Sequence, residues 1–112
     1  MHKLTVLNQI TLCADGSIGL QLLKQVINDD GTVFFSEPHR SVVDPDMEPG
    51  NQMVAVNEHL AEMGYPPLPA DMLGHVEKMK TAHRKYAPIT ARVETFKAQR
   101  AAFEATRNAV KS

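Results

Sequence analysis

"ITLCADGSIGLQLLKQVINDDGTVFFSEPHRSVVDPD", residues 10–46, decides the fold. Two Asp-Gly pairs, Asp15-Gly16 and Asp30-Gly31, divide it into runs rich in apolar and β-branched residues. Asp-Gly is the strongest short-range hairpin signal, and as a type I′ turn it asks for positive φ at both central residues. In the middle run Ile18, Leu20 and Leu22 fall on one side, with Ser17, Gly19 and Gln21 on the other. Leu23 breaks this alternation and Ile27 sits out of phase, which predicts a bulge near 23–27.

The pattern extends in both directions. Upstream, "KLTVLNQITL" (3–12) alternates less cleanly through Leu4, Val6, Ile10 and Leu12. Downstream, "TVFFSEPHRSVV" (32–43) contains Pro38, which has no ladder N–H and so belongs on an edge strand or at a bulge. Three runs joined by two turns predict a three-stranded antiparallel meander. His39-Arg40 directly follows Pro38 and admits three readings. It is an edge device that discourages strand-to-strand pairing, or it is a surface contact for another protein; for a third, a catalytic histidine, no nearby nucleophile or carboxylate has a recognisable motif spacing.

"DPDMEPGN" (44–51) is a loop, and "NQMVAVNEHLAEMG" (51–64) a first helix. Met53, Val56, Leu60 and Met63 form its apolar stripe, Gly50 or Asn51 starts it, and Gly64 ends it. "YPPLPAD" (65–71) is a stiff connector, with Pro69-Ala70-Asp71 opening the next helix. Beyond it Met72, Val76, Met79, His83 and Tyr86 keep helical spacing. Ile89, Val93, Phe96, Arg100, Phe103, Arg107 and Val110 repeat that rhythm after a slip of one residue at Pro88. The chain is therefore expected to be α+β: an N-terminal three-stranded antiparallel meander, then two or three helices, the last long and kinked or broken at Pro88. Its parts are the meander with the first helix (1–63), a proline-rich hinge (64–71) and a basic helical tail (72–112), together one folding unit.

A length of 112 residues suits one domain with one modest core. The apolar share of 43% excludes bulk disorder, and no apolar run is long enough for a transmembrane span. The polar-apolar alternation of residues 1–16 argues against a signal peptide. A net charge of −1 conceals a division. Residues 1–77 carry three cations (Lys3, Lys24, Arg40) against eleven acids, whereas residues 78–112 carry nine cations against Glu94 and Glu104. Such a division bears on association. The basic tail meets the acidic half of its own or a neighbouring chain, or it contacts phosphate through Lys78, Lys80, Arg84, Lys85, Arg92 and Lys97.

Nothing in the motifs announces a reaction. His75 and His83 lie about 12 Å apart along a helix axis, too far to share one ion. Cys13, the lone cysteine, has no neighbouring motif that would lower its pKa. Paired acids occur only in turns and loops, where short carboxylates serve as turn formers. The glycines form no phosphate loop. The expectation is a non-enzymatic protein without metal or cofactor.

The order strand, Asp15-Gly16, strand, Asp30-Gly31, strand ending in His39-Arg40, then Pro45-Asp46 and a helix resembles a group of small bacteriophage proteins encoded among tail genes. The resemblance covers about residues 8–63; the proline hinge and basic tail depart from it. It implies a tail-associated structural or attachment component of a virion, made in the host cytoplasm, with other virion proteins as partners. In such a homo-oligomer the candidate protein contacts are His39, Arg40, Val93, Phe96, Arg100 and Phe103. Assembly would use the sheet edge and the C-terminal helix, with Val93, Phe96 and Phe103 buried between chains. The alternative is a module that binds nucleic acid or a host factor through the basic helix.

Overall fold

The computed structural model describes the backbone from Met1 to Lys111 and the side chains of residues 1–108. The side chain of Val110, the last member of the tail's stripe, lies outside the described residues. Strands β1 (His2–Leu12), β2 (Ile18–Ile27) and β3 (Val33–Val43) form one antiparallel sheet in the order β1-β2-β3. Helices α1 (Pro49–Glu62), α2 (Ala70–Lys85) and α3 (Ala87–Lys111) follow.

Both hairpin turns are built alike, and neither is type I′. The Cys13 N–H donates to the Ser17 carbonyl (3.0 Å) and the Gly16 N–H to the Cys13 carbonyl (3.1 Å). In the second turn Asn28 N–H donates to Thr32 O (2.8 Å) and Gly31 N–H to Asn28 O (2.9 Å). Positive φ falls on the glycines alone, +94° at Gly16 and +89° at Gly31. This is a three-residue loop closed by a glycine bulge. Each aspartate keeps negative φ because its carboxylate has local work. Asp15 Oδ1 accepts from the Ser17 N–H (2.9 Å) and hydroxyl (2.6 Å). Asp30 Oδ1 does the same for Thr32 (2.9 and 2.6 Å). Such Asx bonding fixes the turn without a left-handed aspartate.

Two bulges set the phase of the strands. One leaves Phe34 of β3 unpaired between Phe35↔Val26 and Val33↔Ile27, so the irregularity expected in β2 is carried by its partner strand. The other leaves Asn8 unpaired between Leu7↔Leu22 and Gln9↔Gln21. It reverses the faces along β1: Leu4 and Val6 lie on one side of the sheet, Ile10 and Leu12 on the other. A single extra residue shifts every later side chain across the sheet. That accounts for the uneven alternation of this segment.

Helices α1 and α2 cover one face of the sheet. Ile18, Leu20, Leu22 and Val43 pack there against Met53, Val56 and Leu60 of α1, Leu68 of the connector and Val76 of α2. Each such large apolar side chain contributes about 1.5–3 kcal/mol when fully buried. Lys24 follows Leu22 on the same face and is only 6% exposed. Its ammonium lies 3.5 Å from Glu37 and 3.6 Å from the Met63 sulfur. Its stem lies along the core with the charge carried to the rim, as long cationic side chains do.

Helix α1 begins with Pro49 in the first turn, where a missing N–H costs no bond, and ends before Gly64 at φ +82°. Between α2 and α3 the chain is broken rather than kinked. Tyr86 is extended (ψ 122°), and its carbonyl accepts from both Ile89 and Thr90 N–H at 2.9 Å. Pro88 thus stands in the first turn of α3, as the second residue of a new helix, where a missing N–H breaks no helical bond.

Candidate interaction site

The second face of the sheet carries none of the helices. Strand register assembles most of it as four rows: Thr11–Gly19–Val42, Gln9–Gln21–Arg40, Val6–Leu23–Pro38 and Leu4–Gln25–Ser36. Arg40 is the one charged residue among these twelve, and no acid is present. The solvated face of an antiparallel sheet normally carries polar side chains. Here Leu4, Val6, Leu23, Pro38 and Val42 are interleaved with amides and hydroxyls, and Val42 is 55% exposed. Gly19 leaves a shallow depression of about 330 Å³, walled by Gln9, Thr11, Gln21, Arg40 and Val42.

His39 and Arg40 do not act together. Neighbours along a strand point to opposite faces, so Arg40 stands on the open face. His39 turns under α1, with its ring 5.5 Å from that of His59. Burial pushes the His39 pKa down, and Lys24 and His59 push it the same way. The edge of β3 is interrupted at Pro38, which cannot donate to an added strand.

Helix α3 divides into an anchored and a projecting half. Ile89 and Val93 are buried, with Val93 against Gly16 of the first turn. Val93 is therefore covered by its own chain and withdraws from the candidate contacts between chains. Phe96 is half-buried and stacks under the Arg100 guanidinium (4.9 Å to the ring centre). Arg100 reaches Asp44 (3.2 Å) and Asp46 (3.1 Å). From Ala101 to Asn108 every side chain is exposed, Phe103 at 66%. Phe103, Glu104 and Arg107 share one side of this arm with Phe96, Gln99 and Arg100.

The basic residues proposed for phosphate are dispersed. Lys80, Arg84, Lys85 and Lys97 line a cleft of about 320 Å³ between α2, α3 and the 45–48 loop, together with Asp46, Glu48 and Glu94. Lys78 and Arg92 lie outside it. Three of the six, Lys80, Arg84 and Lys97, already have partners. Lys80 pairs with Glu48, whose pKa is lowered by that bond. Arg84 donates to the carbonyls of Asp44 (2.8 Å), Met47 (3.1 Å) and Gly16 (3.4 Å). Lys97 lies 3.9 Å from Glu94. The charge division of the sequence is thus met in part within one chain: the basic helices clasp the acidic loop after β3.

Sequence reasoning singled out neither the open face nor Lys24. The face depends on the bulge at Asn8, which no residue type announces. The burial of Lys24 is signalled by its place two residues after Leu22 on the apolar side.

Among the described residues no helix is long and apolar enough to cross a membrane. Comparison of the chain with family models, curated proteins and solved structures gave no match, so the resemblance to phage tail proteins rests on the quoted motifs alone.

Proposed function

We propose that the protein is a non-enzymatic structural or adaptor protein that works by assembling with copies of itself and with other proteins. The observation that carries this reading is one chain presenting both an uncovered, nearly charge-free sheet face and a helical arm with an exposed phenylalanine. Exposed apolar side chains set among amides and hydroxyls, with little charge, suit contact with another protein. A tail-associated place in a phage particle is the setting the sequence resemblance implies, and a particle is where a small protein would present two such surfaces. Nucleic-acid binding is disfavoured because Lys80 is paired with Glu48, Arg84 is spent on backbone carbonyls, and Asp46, Glu48 and Glu94 share the cleft with the candidate cations.

Light scattering at low and high salt tests the reading. The expected result is a defined oligomer whose mass persists at high salt, because apolar contacts are not screened. A monomer at every concentration and salt would overturn self-assembly.

A further inference from the structure

We infer that the contact between α1 and β3 is an acid-sensitive clasp, in which a proton taken up by His39 loosens the C-terminal half of α1 from the sheet. The inference goes beyond the self-assembly reading and does not depend on it.

Strand and helix gather here a set of groups with too few acids to go round. Register places His39 beside Leu22 and Glu37 beside Lys24, on the helix side of the sheet. The half-buried His39 ring meets the His59 ring of α1 with centres 5.5 Å apart and planes tilted by 44°. Lys24 lies next to them, its ammonium between Glu37 (3.5 Å) and the Met63 sulfur (3.6 Å). His59 has an acid of its own: its Nδ1 is 3.7 Å from Glu62. His39 has none to itself. Glu37 is the acid that faces it, and Lys24 already engages that carboxylate. The groups facing His39 are thus a lysine from β2 and a histidine from α1, against one shared glutamate of its own strand. Arg40 stands on the opposite face of the sheet.

A proton on His39 therefore adds a partly desolvated positive charge beside Lys24 and His59. Burial, and then those two neighbours, hold the His39 pKa below its ordinary 6.5 while α1 lies on the strand. With α1 lifted, the ring is solvated and separated from His59, and it takes the proton more readily. Packing of α1 is then complete above the ordinary value and weakens as pH falls through the depressed one, because the loosened state binds more protons. This window lies above that of the turn carboxylates of Asp15 and Asp30, whose pKa values are lowered from 3.8. The helix yields before the sheet does. Strand β3 is held to β2 by a ladder of backbone bonds, whereas side chains join it to α1: His39 to His59, and Gln52 to the Ser41 hydroxyl (2.8 Å). Loosening uncovers Leu22 and Leu60, both fully buried in the packed state.

Amide hydrogen exchange of the full-length chain at about pH 7.5 and about pH 5.5, corrected for the intrinsic effect of pH on exchange, tests the clasp. Protection in the C-terminal half of α1 is expected to fall about fivefold between the two, while β2 keeps its protection. His39→Gln retains a polar side chain that takes no proton, and should abolish the fall. His59→Gln removes one of the two charges facing His39 and should reduce it. Titration of the wild-type imidazoles by NMR needs no variant, and should place His39 below 6.5. Unchanged protection in α1, an equal loss in β2, a fall that persists in His39→Gln, or a His39 ring that titrates at 6.5 or above would each overturn the clasp.

Discussion

The two Asp-Gly turns have the same bonds, the same glycine conformation and nearly the same sequence, yet they occupy opposite situations. At Gly16 the backbone is buried beneath Val93 and Ile89 of α3 and the ring of Pro45. At Gly31 there is open space where a side chain would begin. Local chemistry makes the turn in both places. What differs is the use the fold makes of it: the first turn is a seat for α3, and the second is a free tip. A glycine there serves two purposes at one end of the sheet and one at the other.

Substitution at the glycines should separate the two purposes. Gly31→Ala meets only the strain of left-handed backbone, about 1 kcal/mol, or about 4 °C of melting temperature for a chain of this size. Gly16→Ala meets the same strain and drives a methyl into Val93. Overpacking adds to the cost, giving about 3 kcal/mol in all and a fall of about 12 °C. Adding Val93→Ala to Gly16→Ala should recover about 1 kcal/mol relative to the sum of the single changes. Thermal melts of these variants read the comparison directly. Equal losses at Gly16 and Gly31 would mean that α3 does not press on the first turn.

A second loss follows from Arg84, which ties the seated turn to the loop after β3. Its guanidinium spans the carbonyls of Gly16, Asp44 and Met47 and is partly desolvated, which lowers its pKa while leaving it charged. Arg84→Met is expected to cost about 2 kcal/mol, since hydrogen bonds from a charged donor are worth more than neutral ones. Arg84→Lys should recover little of this, because an ammonium lacks the planar fork that reaches separated acceptors. Urea titration measures both. Full stability in the lysine variant would show that charge alone matters there.

The turns, the three strands, Gly64 as a helix stop and the break by Pro88 were legible in the sequence because each depends on a local preference. Proline lacks an N–H and glycine tolerates positive φ wherever they stand. The turn type was not legible: Asp15 and Asp30 could have taken left-handed backbone, and the hydroxyls of Ser17 and Thr32 decided otherwise. Which turn would be covered depends on α3, some 75 residues away in the chain for Val93 against Gly16. The open face was hidden for a similar reason. Leu4, Val6, Ile10 and Leu12 read as one stripe until the bulge at Asn8 divides them between two faces. His39 and Arg40 read as one site although their strand separates them. Tertiary contact, rather than residue type, assigned these roles.

The smallest effect belongs to the aspartates, and it sharpens the comparison through pH. The Ser17 hydroxyl and amide hold the Asp15 carboxyl below its ordinary pKa, and those of Thr32 do so for Asp30. A carboxylate whose pKa is depressed by folding contributes stability that is complete above the unfolded value, near 3.8. That contribution is lost as pH falls through the lower folded value. Asp15→Asn should therefore lower stability at neutral pH by about 0.5–1 kcal/mol, the worth of the hydrogen bonds it weakens. It should also flatten the acid limb of the pH–stability curve below about pH 4. Asp30 is fully exposed at a free tip, so Asp30→Asn should leave the global melt in place. Its effect should appear as faster amide exchange at Gly31 and Thr32, a local opening confined to the hairpin end. Equal global losses from the two substitutions would show that the second tip, too, is coupled to the core.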